Sequence, residues 1–353
     1  MITLTINSVP VLFIKAFTSL DVATIMDFVR KAAEAHPGTG SDVLFIATPI
    51  TPATVEAVTR LQSENFRVIF RDHHGIDGEP RNDREKQVAA ATAKLNKLLG
   101  DDCRITVRRL HPACSTLVEA GEFSTAAAII ADPDPDGLTA AMKAAGISYP
   151  DLDCDAVKLD GEPQFQVTGS PLSQLLAKGM AVIPSYDPLN PRARQEAHQK
   201  LFSDWVKAVE GDAAATQRLW QGCLDYDQAK AVSQALSKTA TALTPGVFMV
   251  DVTKESLYDP GTLNALLEER PNCRITILRK SLGPIAAVHG IQYSLSVTRR
   301  YQDSVNLFDL VPTDVRTGPQ AGVISNVSFL LHTSEEIFNQ HVLPALLSKT
   351  LDS

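Results

Sequence analysis

Along the first half of the chain, short apolar runs alternate with longer stretches whose apolar residues recur at helical spacing. The runs at residues 10–14, 42–47, 67–70, 104–107 and 127–131 are too short for helices and are predicted as buried strands. Between them, residues 21–35 place Val22, Ile25, Met26, Phe28 and Val29 at helical spacing. Residues 52–63 are a second predicted helix, with Thr51 as N-cap and Pro52 at the first helical position. Residues 85–99 form a third, stopping at Gly100. Residues 114–120 are helix-like, and 138–145 form a short helix ending at Gly146. Strands alternating with helices predict an α/β fold with a mostly parallel sheet covered on both faces. In such sheets, ligands bind beyond the carboxyl ends of the strands.

The middle of the chain changes character. Residues 184–191 are proline-rich, and 192–209 and 213–240 read as helices. Thr244-Pro245-Gly246 breaks that pattern. Beyond it, strands are predicted at 247–250, 274–278, 293–298 and 323–331, with helices at 260–269 and 335–347. The expected organisation is an N-terminal domain over residues 1–185, a helical linker over 186–244 and a smaller C-terminal α/β domain over 245–353. No internal repeat or low-complexity tract interrupts it.

Composition agrees with two packed cores. The 353 residues allow about two domains of ordinary size. A hydrophobic fraction of 44% and a charged fraction of 21% describe an ordinary polar surface over apolar cores. The net charge of -8 argues against long duplex nucleic acid as a partner, but leaves room for a small basic cleft. No apolar run approaches the roughly 20 residues that span a bilayer. Residues 1–6 lack the positive segment of a secretory signal. The five cysteines are scattered and form no C-x-x-C pair, so neither a disulfide framework nor a cysteine zinc site is expected. A reducing, cytoplasmic location is expected.

Two clusters carry candidate chemistry, each just after a predicted strand: Arg71-Asp72-His73-His74-Gly75 and Asp132-Pro133-Asp134-Pro135-Asp136-Gly137. Gathering carboxylates and imidazoles is costly unless a cation sits among them, and a divalent metal is the usual one. The prolines stiffen the acidic loop, and Gly137 permits a close turn into the next helix. The plain alternatives are histidines capping a loop and a solvated acidic turn capping the helix at Leu138. A calcium EF-hand is excluded, because its twelfth loop position is Lys143 and a strand precedes the loop. Between the clusters, His111 with Arg108 and Arg109 offers groups that bind phosphate.

Together these residues resemble the DHH phosphoesterase superfamily, which includes RecJ-type exonucleases, oligoribonucleotide phosphatases, cyclic-dinucleotide phosphodiesterases and exopolyphosphatases. Residues 43–75 look like its strand-helix-strand leading into Asp72-His73-His74. The second half looks like the smaller DHH-associated domain. There, the segment from Tyr293 to Arg300 resembles a strand carrying a substrate-binding arginine, and Arg316-Thr317-Gly318-Pro319-Gln320-Ala321-Gly322 occupies the place of a phosphate-cradling loop.

The chain departs from the family pattern in two places. Of the first metal motif only Asp21 can be carried over, with Lys15 and Ser19 where a histidine and an aspartate belong. Thr48 stands at the aspartate of the second motif. The Asp132 loop looks like the first motif displaced to follow Asp-His-His. Two readings stay open: the loop rebuilds the site, or one of its aspartates fills the fourth-motif position.

The resemblance implies a manganese- or magnesium-dependent phosphoesterase, with two ions if active. Asp21, Asp72, His73, Asp132, Asp134 and Asp136 would be metal ligands, and His73, His74 and Asp134 catalytic. His74, Arg109, His111, His289, Arg299, Arg300 and Gly318 would bind substrate. The expected substrate is small and phosphorylated: a short single-stranded oligonucleotide, a cyclic dinucleotide or polyphosphate. The alternative is a degenerate relative that binds nucleotide, phosphate or a protein partner without turnover. Oligomeric state, monomer or homodimer, is left open.

Overall fold

A computed structural model describes residues 1–15, 19–36, 40–80, 83–162, 167–183, 192–255, 257–281, 291–302, 304–317, 321–324 and 327–350. The chain divides into two compact units, the first comprising 1–183 and 192–223, the second 184–191 and 224–353.

The first unit runs β1 (Ile2–Ile6), β2 (Val9–Phe13), α1 (Ser19–Ala35), β3 (Asp42–Ile46), α2 (Pro52–Ser63), β4 (Arg67–Asp72), α3 (Asp83–Leu99), β5 (Cys103–Ile105), β6 (Ala128–Ala131), α4 (Pro135–Ala144), α5 (Leu152–Gly161), α6 (Pro171–Ala181), α7 (Ala193–Val209) and the first part of α8 (Ala213–Ser237). Its six strands are ordered β1-β2-β6-β3-β4-β5. β2, β6, β3, β4 and β5 pair in parallel, and β1 lies antiparallel on β2 at one edge. The expected α/β class with a mostly parallel sheet is therefore the observed one.

Burial of the strands on both faces explains their continuous apolar runs. Successive residues of β3 point to opposite sides. Val43 and Phe45 pack with Val22, Ile25 and Met26 of α1, Val58 and Leu61 of α2, and Leu95 of α3. Leu44 and Ile46 pack into a second core with Leu138 of α4, Leu176 of α6, and Phe202 and Trp205 of α7. Thr51 caps α2 as expected, accepting from the Thr54 amide at 3.2 Å, with Pro52 at its first turn. Residues 114–120, expected as helix-like, give only the short 3-10 turn Cys114–Leu117. The strand β1 and the helices α5 and α6 have no counterpart among the expected elements.

The second unit holds another six-stranded sheet. It comprises β7 (Thr241–Thr244), β8 (Val247–Asp251), β9 (Ile275–Ser281), β10 (Ile291–Val297), β11 (Ala321–Ile324) and β12 (Ser328–Thr333), in the order β11-β12-β10-β9-β8-β7. Among the described residues of this sheet, only β8 and β9 pair in parallel. The single strand expected over 323–331 is two, β11 and β12, paired antiparallel. Helix α9 (Pro260–Glu268) packs Leu263 and Leu267 against Val250 and Leu278. Phe338, Val342 and Leu346 pack with Tyr293 and Leu295 of β10, and the Tyr293 and Phe338 rings stack at 3.8 Å. No helix among the described residues is long and apolar enough to cross a membrane.

Candidate metal centre

The strand order decides which clusters meet. β6, β3 and β4 are neighbours in the sheet, so Asp132 after β6, Ala47-Thr48 after β3 and Asp72 at the end of β4 share one edge. Ala47 ties the three ends together. Its amide donates to the Arg71 carbonyl at 3.2 Å, and its carbonyl accepts from the Asp132 amide at 3.1 Å. It does so at a φ of 48°, a left-handed conformation costly for a residue with a Cβ. Such strain persists where the surroundings enforce it.

Both clusters need the glycine that follows them. A Cβ on Gly75 would lie 2.5 Å from the Thr106 carbonyl oxygen, and one on Gly137 would lie 2.2 Å from the Asp132 carbonyl oxygen. The Gly75 amide donates to Thr106 at 2.8 Å and the Thr106 amide to Asp72 at 2.8 Å, which pins the Asp-His-His turn to the segment after β5. Asp134 caps α4, its carboxylate accepting from the Gly137 amide at 2.7 Å. That cap turns the side chain of Asp136, in the first turn of the helix, into the protein, where it is 2% exposed.

His73 is fully buried. Its Nδ1 donates to the His111 backbone carbonyl at 2.8 Å, which leaves the Nε2 lone pair facing inward. Nε2 lies 3.4 Å from Asp136 Oδ2 and 3.7 Å from Asp160 Oδ2. Burial, aided by neighbouring His74, lowers the His73 pKa to about 4, so the ring is neutral and offers these carboxyls only its Nε2 lone pair. Asp72 is also fully buried, and its Oδ1 accepts from the His74 amide at 2.9 Å and from His74 Nδ1 at 2.6 Å. Asp72 Oδ2, His73 Nε2 and Asp136 Oδ2 are all buried and have no hydrogen-bond partner among the described residues.

The surrounding carboxyls feel the same shortage of positive charge. Burial, reinforced by Asp134, pushes Asp132 up to about 7. Burial, with Asp134 and Asp160, pushes Asp136 up to about 7. Burial also raises Asp134 and Asp160. Burial works against the His74 imidazolium, but Asp72 outweighs it and the His74 pKa is raised. Arg108 bridges the rim, donating to Asp160 Oδ1 at 3.0 Å and facing His74 Nε2 at 3.2 Å. Ligand atoms of Asp72, His73 and His74, and those of His73, Cys114 and Asp136, lie within 4.8 Å of one another, and with further carboxyls beside them they are of the chemistry that holds a divalent cation.

A cavity of about 780 Å³ opens beside this cluster. Ile50, Ile76, Val88 and Val107 supply apolar wall, and Arg108 and Arg109 supply positive charge.

The structure thus brings Asp72, His73, His74, Asp132, Asp134 and Asp136 together. Asp21 stands in the first turn of α1, half-buried. Arg109 is exposed, 3.2 Å from Asp77. The His111 ring faces Arg104 and Thr116, at 3.1 Å from each, so its backbone carbonyl is what serves His73. Arg299 and Arg300 are exposed on a short helical turn after β10, in the second unit. His289 and Gly318 lie outside the described residues. Two participants are missing from the expected set. Asp160 sits near the end of the unexpected helix α5, and its acidic signal is that of any solvated helix end. Cys114 carries no spacing that marks it.

No family model matches the chain, and no curated protein matches it. Among solved structures it is similar to PggH, a pGpG-specific phosphodiesterase from Vibrio cholerae. The two are 12% identical over 88% of this chain and 99% of that one, with a TM-score of 0.40.

Proposed function

We propose that the first unit is a divalent-metal-dependent phosphoesterase of the DHH type, acting on a small phosphorylated substrate. The observation that carries this reading is a buried cluster at the carboxyl edge of the sheet in which ligand atoms of Asp72, His73 and His74, and separately those of His73, Cys114 and Asp136, lie within 4.8 Å of one another. Asp72, His73, Asp136 and Asp160 would hold the metal, with Asp132 and Asp134 lining the same acidic wall. Bound there, a divalent cation would supply a water of lowered pKa and charge neutralisation at the phosphoryl group.

The remaining steps belong to the chain itself. The carbonyl of His111 fixes the His73 tautomer, so its lone pair faces the metal position throughout. Asp160 holds Arg108 in place to grip a phosphate oxygen as a charge-assisted donor. His74, anchored by Asp72 and 42% exposed at its side chain, is the group that hands a proton to the departing oxygen. Apolar walls beside Arg108 and Arg109 suit a phosphoester carrying an organic group, such as a short oligonucleotide, better than inorganic polyphosphate.

Elemental mass spectrometry on chelator-free protein, with manganese-supplemented hydrolysis of bis-p-nitrophenyl phosphate and a linear dinucleotide, tests the reading. Stoichiometric metal with turnover supports it. Stoichiometric metal without turnover favours a binding protein, and neither metal nor turnover sinks it.

A further inference from the structure

A thiol lies among the carboxylates. Cys114 opens the turn Cys114–Leu117 and is fully buried. Its Sγ is 3.9 Å from Asp72 Oδ1, and its amide donates to Asp136 Oδ1 at 2.8 Å. Lys143 of α4 donates to the next carbonyl, that of Ser115, at 3.0 Å, so α4 holds the turn at both residues. Ligand atoms of His73, Cys114 and Asp136 all lie within 4.8 Å of one another. Donors bound to one ion at about 2.0–2.3 Å sit at most about 4.6 Å apart, so this set needs little adjustment to share an ion.

A buried cysteine ordinarily packs as a small hydrophobe. Cys114 instead faces two carboxylates, beside His73 Nε2 and Asp136 Oδ2, which are both buried and unpartnered. We propose that Cys114 is a thiolate ligand of the metal centre, so that the His73–Cys114–Asp136 set selects a thiophilic divalent ion such as Zn²⁺, Fe²⁺ or Co²⁺ over Mg²⁺. This rests on the metal-site reading above.

Charge supports the assignment. A thiolate facing Asp72 and Asp136 is costly to bury unless a cation sits among them, and a divalent ion would offset that charge. Binding converts the thiol and the free ion into a metal–sulfur bond and one proton released to solvent. Softness gives the selectivity, since thiolate sulfur prefers zinc-like ions and magnesium prefers oxygen.

Cobalt reports the ligand directly. Co²⁺ is titrated into the intact, chelator-treated chain and the optical spectrum recorded. The expected result is visible d–d bands with a near-ultraviolet sulfur-to-cobalt charge-transfer band. In Cys114→Ser that near-ultraviolet band disappears. Co²⁺ and Zn²⁺ affinity then falls by at least the ~10–100-fold that losing even an outer partner costs, while Mg²⁺ affinity is unchanged. Visible bands without charge transfer in the native chain overturn the cysteine ligand and leave the metal site standing. A charge-transfer band that survives in a folded Cys114→Ser also overturns it. No cobalt bands at all overturn both. If the variant does not fold, the native spectrum alone decides.

Discussion

Buried carboxyl groups that face one another must share protons or a cation. Asp132 and Asp136, at about 7 in the folded chain, hold protons that an unfolded chain, with aspartates near 3.9, has already released. Their contribution to stability is complete below about pH 4 and is lost as pH rises through about 7. His73 acts oppositely, because its pKa is about 4 in the fold and about 6.5 outside it. Its contribution is complete above pH 6.5 and is lost as pH falls toward 4. The two effects oppose each other below pH 6.5, so the net loss is clearest between about pH 6.5 and 8. Chelated protein is expected to lose about 1–2 kcal/mol there, or ~2–8 °C in Tm. A saturating divalent ion should abolish the loss. A Tm that stays flat or rises across that range in chelator would contradict the buried, protonated pair. At this scale the sequence is most readable. Asp72, His73, Asp132 and Asp136 stand out because their chemistry is dense, and the order β6-β3-β4 is what brings them together. Cys114 does not stand out, because an isolated cysteine carries no spacing.

The elements place these side chains through backbone contacts that leave little freedom. At the junction of β6 and α4, Asp134 supplies the cap and Gly137 the clearance. Asp134→Ala should cost about 1 kcal/mol of stability in chelator from the lost cap alone, whereas Asp134→Asn, also a good cap, should cost almost nothing. Both should weaken metal binding. Equal stability losses for the two would show that the cap contributes nothing. Gly137→Ala forces a Cβ onto the Asp132 carbonyl and should destabilise the chain by about 2–3 kcal/mol while displacing the acidic loop. Denaturant unfolding with metal calorimetry checks both effects. Most elements of the first unit follow from periodicity, because strands buried on both faces read as unbroken apolar runs. The exceptions have local causes. β1 alternates Ile2, Leu4 and Ile6 with threonine, the period of a half-buried edge strand, but a chain start invites reading for a leader instead. α5 buries only Leu152, Asp155, Ala156 and Leu159, too thin a stripe to stand out, and so Asp160 goes unseen with it.

Across the whole molecule, the five thiols are distributed by burial rather than by any disulfide pairing. Their scatter along the sequence already argues against disulfides; which of them can react depends on the fold. Cys114, Cys223 and Cys273 are buried, the first two in the same core of the first unit. Burial raises Cys103 and Cys273 to about 11 and Cys114 well above the ordinary thiol range. The reactive species is the thiolate, so these groups are slow at pH 8 even where a reagent reaches them. Cys154, on α5, is exposed. A disulfide-exchange reagent at pH 8 should therefore titrate one thiol rapidly in the native chain and all five in denaturant. Peptide mapping should place the fast adduct on Cys154. Cys114 modified as rapidly as Cys154 would mean that the turn at Cys114–Leu117 opens to solvent. A buried metal centre could not then be closed by that turn. Slow modification of Cys114 that slows further when Zn²⁺ is added would link its protection to the carboxylates it faces.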